Sequence, residues 1–472
     1  MTVPQASKLD VVRGLGLVAA ASMVVGHMIG QGIFLKTRVI TCNVETPGLV
    51  IAVWVVSGFL ALAGALTFAE LGTMMPRSGG IYVFLREAFG PAVGFLYGWM
   101  NFVIASVGST ALGFAFAIFL NVIAGQALSV ELFAWNVAGL HLAATGTQGV
   151  AVGIIFLVML LNCAAVSLGG AIATYLTTFK IVLVAGVGLG AFLFASGDWA
   201  NFSGHAAGSC EGVVDSARGG FSGFAAAMLG ALLAYNGWHA IVMVAGEVKE
   251  PHKNIPRSII GGTLAVIGLY VFINVAYFYV LTPTEIADLS ANSSVATATA
   301  AKFLGVLASK LMAAALLVST LGTLQIASMA ISRSIFAMSR DGLLVRPLGE
   351  VSERTRVPVN AVVAQAAWAM IFVFFGTYDT LTDYYVFAMW IFFALTVASL
   401  FVFRRKKPEV ERPYRTFGYP IVPALFLLVA GWMLANYVLT KPTHAILALA
   451  LIALGLPIYW YRKMGRKTNL AP

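Results

Sequence analysis

Charge is what this sequence has least of. Asp, Glu, Lys and Arg make up 10% of its 472 residues, where soluble domains carry about 25%. That deficit excludes a soluble globular protein. Cysteine is almost as scarce: three residues build no disulfide framework. Cys163 falls at the inner end of the fourth apolar stretch; Cys42 and Cys210 both fall on the outer side and could in principle pair, with separate free thiols the expectation. Catalytic signatures are missing too. There is no GxSxG, no phosphate-cradling GxxxxGK[ST] and no His/Cys/Asp cluster with metal spacing, so neither an enzyme nor a cofactor or metal site is expected.

What the chain has instead is hydrophobicity, at 60% of residues. Twelve apolar stretches are long enough for the roughly 30 Å hydrocarbon core of a bilayer. They lie near 15–40, 48–75, 92–123, 147–166, 171–195, 221–247, 257–282, 307–338, 358–376, 380–402, 420–439 and 443–461. Connections are short, so the expectation is one all-α transmembrane domain over 1–472, in contact with lipid. Lys8 and Arg13 precede an apolar run that continues well past Ala19–Ser22, which reads as an uncleaved first helix rather than a signal peptide.

The net charge of +10 is a topology signal and not a nucleic-acid footprint. With both termini inside, inner segments hold 22 of the 29 Lys and Arg, clustered at Lys249–Arg257, Arg333–Arg356, Arg404–Arg415 and Arg462–Lys467. The outer segments hold Lys36, Arg38, Arg218, Lys302, Lys310 and Lys441. This asymmetry predicts a multi-pass protein of the plasma membrane with cytoplasmic N- and C-termini.

Two of the apolar stretches are interrupted at mid-depth, the first by Gly30-Gln31-Gly32 and the sixth by Tyr235-Asn236-Gly237. Lipid cannot satisfy a broken backbone, so such breaks survive only when buried or lining a polar cavity. Paired breaks in corresponding helices of two halves point to a transporter's substrate site. They predict an inverted five-plus-five repeat, 1–195 and 221–402, followed by two extra helices over 420–461. Amides of a new half-helix beyond Gly30-Gln31-Gly32 suit a carboxylate. The carbonyls of Met28 and Ile29, and of Leu233, Ala234 and Asn236, are expected to be unpaired and to suit an ammonium. Donors beside acceptors recognise a zwitterion, and an α-amino acid is the simplest one. Tyr235 and Trp238 are expected to line the same cavity.

Lys180 is the basic residue deep in an apolar span, which costs roughly 2.5–3.5 kcal/mol on insertion scales and argues for a role. Glu70 and Glu247, near the inner ends of the second and sixth stretches, are expected in gate-closing or capping contacts with Arg and Lys. His27 is expected as a packed, hydrogen-bonded histidine. Gly90, Gly94 and Gly98 form a packing ladder, Tyr82–Phe89 a short interfacial helix, and 282–305 short helices over the outer face.

Five motifs in order carry a family resemblance. GHMIGQGIF resembles GxxIGxGIF, FAELGTMMPRSGGIYVFLREAFGP resembles (Y/F)AELGxxxPxSGGxYxYLxxxFG, and AYNGWHAIVMVAGEVKEPHKNIPRSI resembles FAYxGWxxxxxxxEExxNPxRNIPxxI. SRSIFAMSRDGLL is similar to an eighth-helix ending, and RRKKPEVERPYRTFGYP to the loop after a tenth helix. Together they resemble the amino acid–polyamine–organocation transporters, in particular the L-type amino-acid branch. The resemblance implies discontinuous helices 1 and 6, a carboxylate at the backbone of Gln31 and Gly32, and an ammonium at carbonyls of Met28, Leu233 and Asn236. It implies that Lys180 takes the place of a sodium ion between helices 1 and 8, hence sodium-independent transport by exchange or proton coupling. No acidic residue is placed to pair a cationic side chain, so neutral L-amino acids are the expected substrates. A cationic amino-acid or polyamine carrier, or a sensor that moves nothing, are the alternatives. Leu233, Asn236 and His239 depart from the residues usual at those positions, an aromatic, a glycine and an asparagine, so substrate identity is the open part. No cysteine stands in the outer loop between helices 3 and 4, so no covalent heavy-chain partner is expected.

Overall fold

The computed structural model describes residues 12–468, apart from 126, 138–139, 165, 291–293, 375–377 and 441. Lys8 and Lys441 therefore lie outside the described residues. The chain opens with α1 (Leu17–Met28), α2 (Gly32–Val44) and α3 (Pro47–Met74). The short α4 (Ile81–Phe89) leads into α5 (Pro91–Met100), which a π-helical turn at Asn101–Ala105 joins to α6 (Ser106–Ile123). A hairpin of β1 (Glu131–Val137) and β2 (Leu140–Thr145) precedes α7 (Gly146–Ala164) and α8 (Val166–Phe194). Then come α9 (Gly220–Ala234), the one-turn α10 (Ala240–Met243), α11 (Pro251–Val280), α12 (Pro283–Ala287), α13 (Val295–Leu304) and α14 (Ala308–Arg340). The chain finishes with α15 (Val359–Phe372), α16 (Tyr378–Lys406), α17 (Ile421–Thr440), α18 (Pro442–Ala453) and α19 (Gly455–Thr468).

Among the described residues, ten segments are long and apolar enough to cross a membrane. At 28 residues, α3 extends about 42 Å, more than the hydrocarbon thickness. Two of the twelve stretches expected from sequence are instead shorter apolar helices, α9 and α15. The sixth stretch is short because α9 stops at the second break. The expected helix Tyr82–Phe89 is present as α4, and α12 and α13 occupy 283–304. The hairpin is an element that the apolar pattern did not announce.

The helices pack as one bundle around α1, α3, α11 and α14. α11 lies against α3, α1 and α8, and α14 against α6, α8 and α7. Apolar residues cover these helices on all sides, so inward-facing ones form the core (Trp54, Phe68, Tyr270, Ile273) and outward-facing ones such as Phe59, Val182 and Leu428 stay exposed, as lipid contact requires.

One end of the bundle gathers the basic loops. There Leu15 pairs with Val248, its N–H donating to Glu247 O (2.9 Å) while its carbonyl accepts from Lys249 N–H (2.8 Å). Glu247 is fully buried and takes a fork from Arg333 of α14, at 2.6 and 3.2 Å. Glu70 is held by Arg404 (2.8 Å), Arg412 (3.4 Å) and the Thr416 N–H (2.7 Å). Both carboxylates thus make the Arg contacts anticipated for them. On α4, burial pushes the Glu87 carboxyl up, but Arg86 and Lys407 outweigh it and hold it below its ordinary range.

The opposite end carries a disulfide, which corrects the expectation of free thiols. Cys42 and Cys210 are bonded, with Cα atoms 5.7 Å apart across 168 residues of sequence. The cause is the segment after α8, which folds back over the end of α2. Ala206 N–H donates to Glu45 O and Gly219 N–H to Asn43 O, each at 2.8 Å. Arg38, placed by sequence in an outer segment, is buried on α2 and donates to Leu289 O (2.6 Å) and to Glu211 O. Cys163 is a free thiol.

Candidate functional site

Both expected breaks are present, and they pack against each other. α1 ends at Met28, Ile29 leaves the helical region (ψ 79°), and α2 restarts at Gly32. α9 ends at Ala234 and four turn residues follow before His239 caps α10. A Cβ on Gly32 would stand 2.4 Å from Ala234 Cβ. One on Gly237, at φ +137°, would stand 2.7 Å from His27 Cδ2 and 2.8 Å from Met28 N. Only glycine lets the two backbones approach this closely.

Beside them lies a cavity of about 230 Å³. Of the residues named from sequence, Met28, Gly30, Gln31, Gly32, Leu233, Ala234 and Asn236 are on its wall. The new helix start leaves the amides of Gly32 and Ile33 without an intrahelical acceptor. Ile29, Tyr235, Gly237 and Trp238 lie behind the wall. Ile29 is fully buried, with its carbonyl 3.4 Å from Ser319 Oγ. Tyr235 packs on Trp54 and Tyr270, and Trp238 on Phe68 (4.6 Å between centroids) and Phe393 (5.1 Å). The two aromatics brace the second break from outside rather than facing the space.

Several carbonyls expected to be unpaired are occupied. Met28 O accepts from Gly30 N–H (2.8 Å) and from the Tyr270 hydroxyl (2.6 Å), and Ala234 O stands 3.1 Å from that same hydroxyl. Leu233 O accepts from Asn236 N–H at 3.2 Å. Tyr270 thus clamps the ends of α1 and α9 together from α11, satisfying groups that would otherwise cost about 1–3 kcal/mol each if left unpaired in the interior.

Lys180 lies at the middle of α8 and is fully buried. Its ammonium donates to Gly26 O of α1 (2.6 Å) and to Thr323 Oγ1 of α14 (2.7 Å). One charge therefore ties three helices together, and Thr323 is itself on the cavity wall. His27 is also on the wall, but its Nδ1 is buried with no hydrogen-bond partner among the described residues. That corrects the expectation of a hydrogen-bonded histidine at this nitrogen: the ring lies edge to face with that of His239, 5.8 Å between centroids, which is a packing contact and not a hydrogen bond.

Broken helices facing a cavity, with a buried lysine behind, are what the motifs anticipated, and comparison with known proteins agrees. A profile described as "Amino acid permease" matches residues 15–456. The chain belongs to the amino acid permease family. Its relatives within the amino acid–polyamine–organocation superfamily include the serine/threonine exchanger SteT of Bacillus subtilis, 31% identical over 95% of this chain and 96% of that protein. The human b(0,+)-type amino acid transporter 1 is 30% identical over 95% of this chain and 87% of its own length. The human large neutral amino acids transporter small subunit 2 is 30% identical over 94% and 79%. The chain is accordingly a multi-pass membrane protein.

The rest of this permease's cavity was less visible in advance. Asn101, Ser109, Thr323, Ala327 and Tyr385 line it from α6, α14, α16 and the π-helical turn. Asn236 Nδ2 reaches Tyr385 Oη at 3.2 Å, and Gln365 Nε2 donates to Ser109 Oγ at 3.2 Å. A polar residue inside an apolar stretch was the available signal for Asn101, Ser109 and Thr323; nothing distinguished Tyr270 or Tyr385 from other membrane aromatics. Leu233, Asn236 and His239, the positions that depart from the family pattern, all face the cavity.

Proposed function

We propose that this permease carries neutral L-amino acids across the plasma membrane by alternating access, without sodium. The observation that carries this reading is the juxtaposition of two helix breaks beside one cavity. The amides of Gln31 and Gly32, at the start of α2, are directed to the substrate carboxylate. Carbonyls at Leu233 and Asn236 receive the ammonium, Leu233 O through the lone pair that Asn236 N–H leaves open. Met28 O, which already accepts from Gly30 N–H and the Tyr270 hydroxyl, joins them once that hydroxyl turns wholly to Ala234 O. Ile29, Gly30, Ala234, Tyr235, Gly237 and Trp238 shape the site around those atoms. Among the described residues no carboxylate lines the cavity, and both Glu70 and Glu247 are occupied by arginines at one end. A cationic side chain or a polyamine would therefore go unpaired. The relatives named as exchangers and transporters of amino acids favour transport over sensing.

Lys180 serves as the strut between α1, α8 and α14, a fixed positive charge where a cotransported cation would otherwise be needed. The two breaks divide the chain into inverted repeats at 1–195 and 221–402, with 420–461 added after them. The basic end is cytoplasmic, with both termini there. Two independent features support this orientation: the Lys and Arg asymmetry, and the Cys42–Cys210 disulfide at the other end, where an oxidising compartment would preserve it. The cavity reaches toward that end at Lys36, Val39 and Ile118, while Leu15–Val248 and Glu247–Arg333 close the basic end, so this is the outward-facing state. Without a cysteine between α6 and α7, no subunit is attached covalently there.

Counterflow in proteoliposomes tests the reading. Radiolabelled neutral amino acids should accumulate against an unlabelled internal pool, equally in sodium, potassium or choline. Failure of every neutral amino acid to accumulate would overturn it.

A further inference from the structure

Four buried polar atoms around the cavity have no hydrogen-bond partner among the described residues: His27 Nδ1, Asn101 Nδ2, Asn236 Oδ1 and His239 Nδ1. Asn101 is 3% exposed and His239 5%. Roughly nine in ten buried polar groups in proteins are paired, and an orphan costs about 1–3 kcal/mol. Four orphans on side chains that line one space mark a place built for a group that arrives from elsewhere.

Their positions separate them from the groups assigned to the α-carboxylate and α-ammonium. Asn101 opens the π-helical turn between α5 and α6, an irregularity that recurs at functional sites because it redirects side chains from the regular register. His239 caps α10, three residues beyond Asn236. Both therefore stand on the half of the cavity nearer the basic end, with Met243, and His27 and Asn236 form the boundary with the breaks. The two imidazoles sit edge to face, 5.8 Å between centroids.

The chemistry of this set is mixed. Asn101 presents an N–H donor, Asn236 a carbonyl acceptor, and each imidazole Nδ1 serves as either according to tautomer. A carboxylate only accepts, an ammonium only donates, and a hydrocarbon does neither. Hydroxyl and carboxamide groups do both. A site with buried polar groups rejects a ligand that leaves them unpaired far more strongly than an apolar pocket rejects an extra hydroxyl.

We propose that the half of the cavity bounded by His27, Asn101, Asn236 and His239 is the side-chain subsite, and that it selects amino acids whose side chains end in a hydroxyl or a carboxamide. The inference rests on the amino-acid reading above and narrows it.

Near-isosteric pairs test it in wild-type proteoliposomes: threonine against valine, asparagine against leucine, glutamine against methionine, each as a competitor of counterflow, with glycine as a reference that has no side chain. The oxygen-bearing member should compete at least ~10-fold better in at least one pair and be the better competitor in all three. In Asn101→Leu and in His239→Phe, the ratio within the preferred pair should fall toward unity, whatever the absolute rate. Glycine competing while valine, leucine and methionine match or beat their partners would overturn the subsite alone. Failure of glycine and of all six would overturn the amino-acid reading with it. A preference that survives unchanged in both variants would show that other residues carry it. The wild-type ratios need no variant to fold.

Discussion

Lys180 concentrates more consequence than any other side chain in the molecule. A buried ammonium is tolerated only when it is hydrogen-bonded, and Gly26 O and Thr323 Oγ1 take two of its three N–H donors at 2.6 and 2.7 Å. Both acceptors belong to helices that must hold their relative position if the cavity is to keep its shape. Lys180→Ala should abolish uptake while the protein still purifies as a folded monodisperse species. Lys180→Arg keeps charge but brings a planar fork into space fitted to a compact ammonium, beside Gly322, where even an added Cβ would stand 3.0 Å from Lys180 Cε. Uptake should fall at least ~10-fold in that variant, the equivalent of ~1.4 kcal/mol. Near-normal transport by Lys180→Ala, read as initial rate in proteoliposomes, would remove the strut from the account.

At the scale of elements, the two broken helices act as one unit because glycine lets their turns interlock. Gly237→Ala would place a methyl 2.7 Å from His27 and 2.8 Å from the Met28 backbone at φ +137°, a conformation disfavoured for L-residues. Uptake should drop at least ~10-fold; an unaffected rate would mean that the breaks do not depend on contact. The Cys42–Cys210 bond ties α2 to the segment after α8. A single Cys42→Ser replacement should lower the melting temperature in detergent, by a stability loss of about 2–4 kcal/mol, and reduction of the wild type should lower it similarly. No shift in either would argue against the bond. The breaks were legible in sequence because glycine and asparagine interrupt long apolar runs, and Lys180 because a charge there stands out. The disulfide was not, since pairing across 168 residues depends on loops whose path no periodicity encodes. Tyr270 was not, because its hydroxyl matters only through the carbonyls that folding brings to it. Trp238 and Tyr235 were placed in the cavity because the break is there, whereas the turn directs them outward onto Phe68 and Trp54.

For the whole molecule, the central contrast is between an end closed by ion pairs and a cavity reaching toward the other. Arg333 and Glu247 are 1% and 0% exposed, and removing one partner of such a pair strands the other at a cost of about 3–5 kcal/mol. Arg333→Met should loosen that closure. With Cys163 replaced by serine, a cysteine introduced at Met243 should be slow to react with a thiol reagent applied at the basic end, and at least ~10-fold faster once Arg333→Met is added. Equal rates would show that the pair does not gate. The central claim is that two helix breaks recognise the α-amino and α-carboxyl groups of one substrate through backbone atoms. Competition against counterflow by matched analogues tests it most directly. The account predicts that decarboxylated and N-acetylated forms of the transported amino acid lose at least ~10-fold in affinity, ~1.4 kcal/mol; equal competition by those forms, or by a free diamine such as cadaverine, would contradict it.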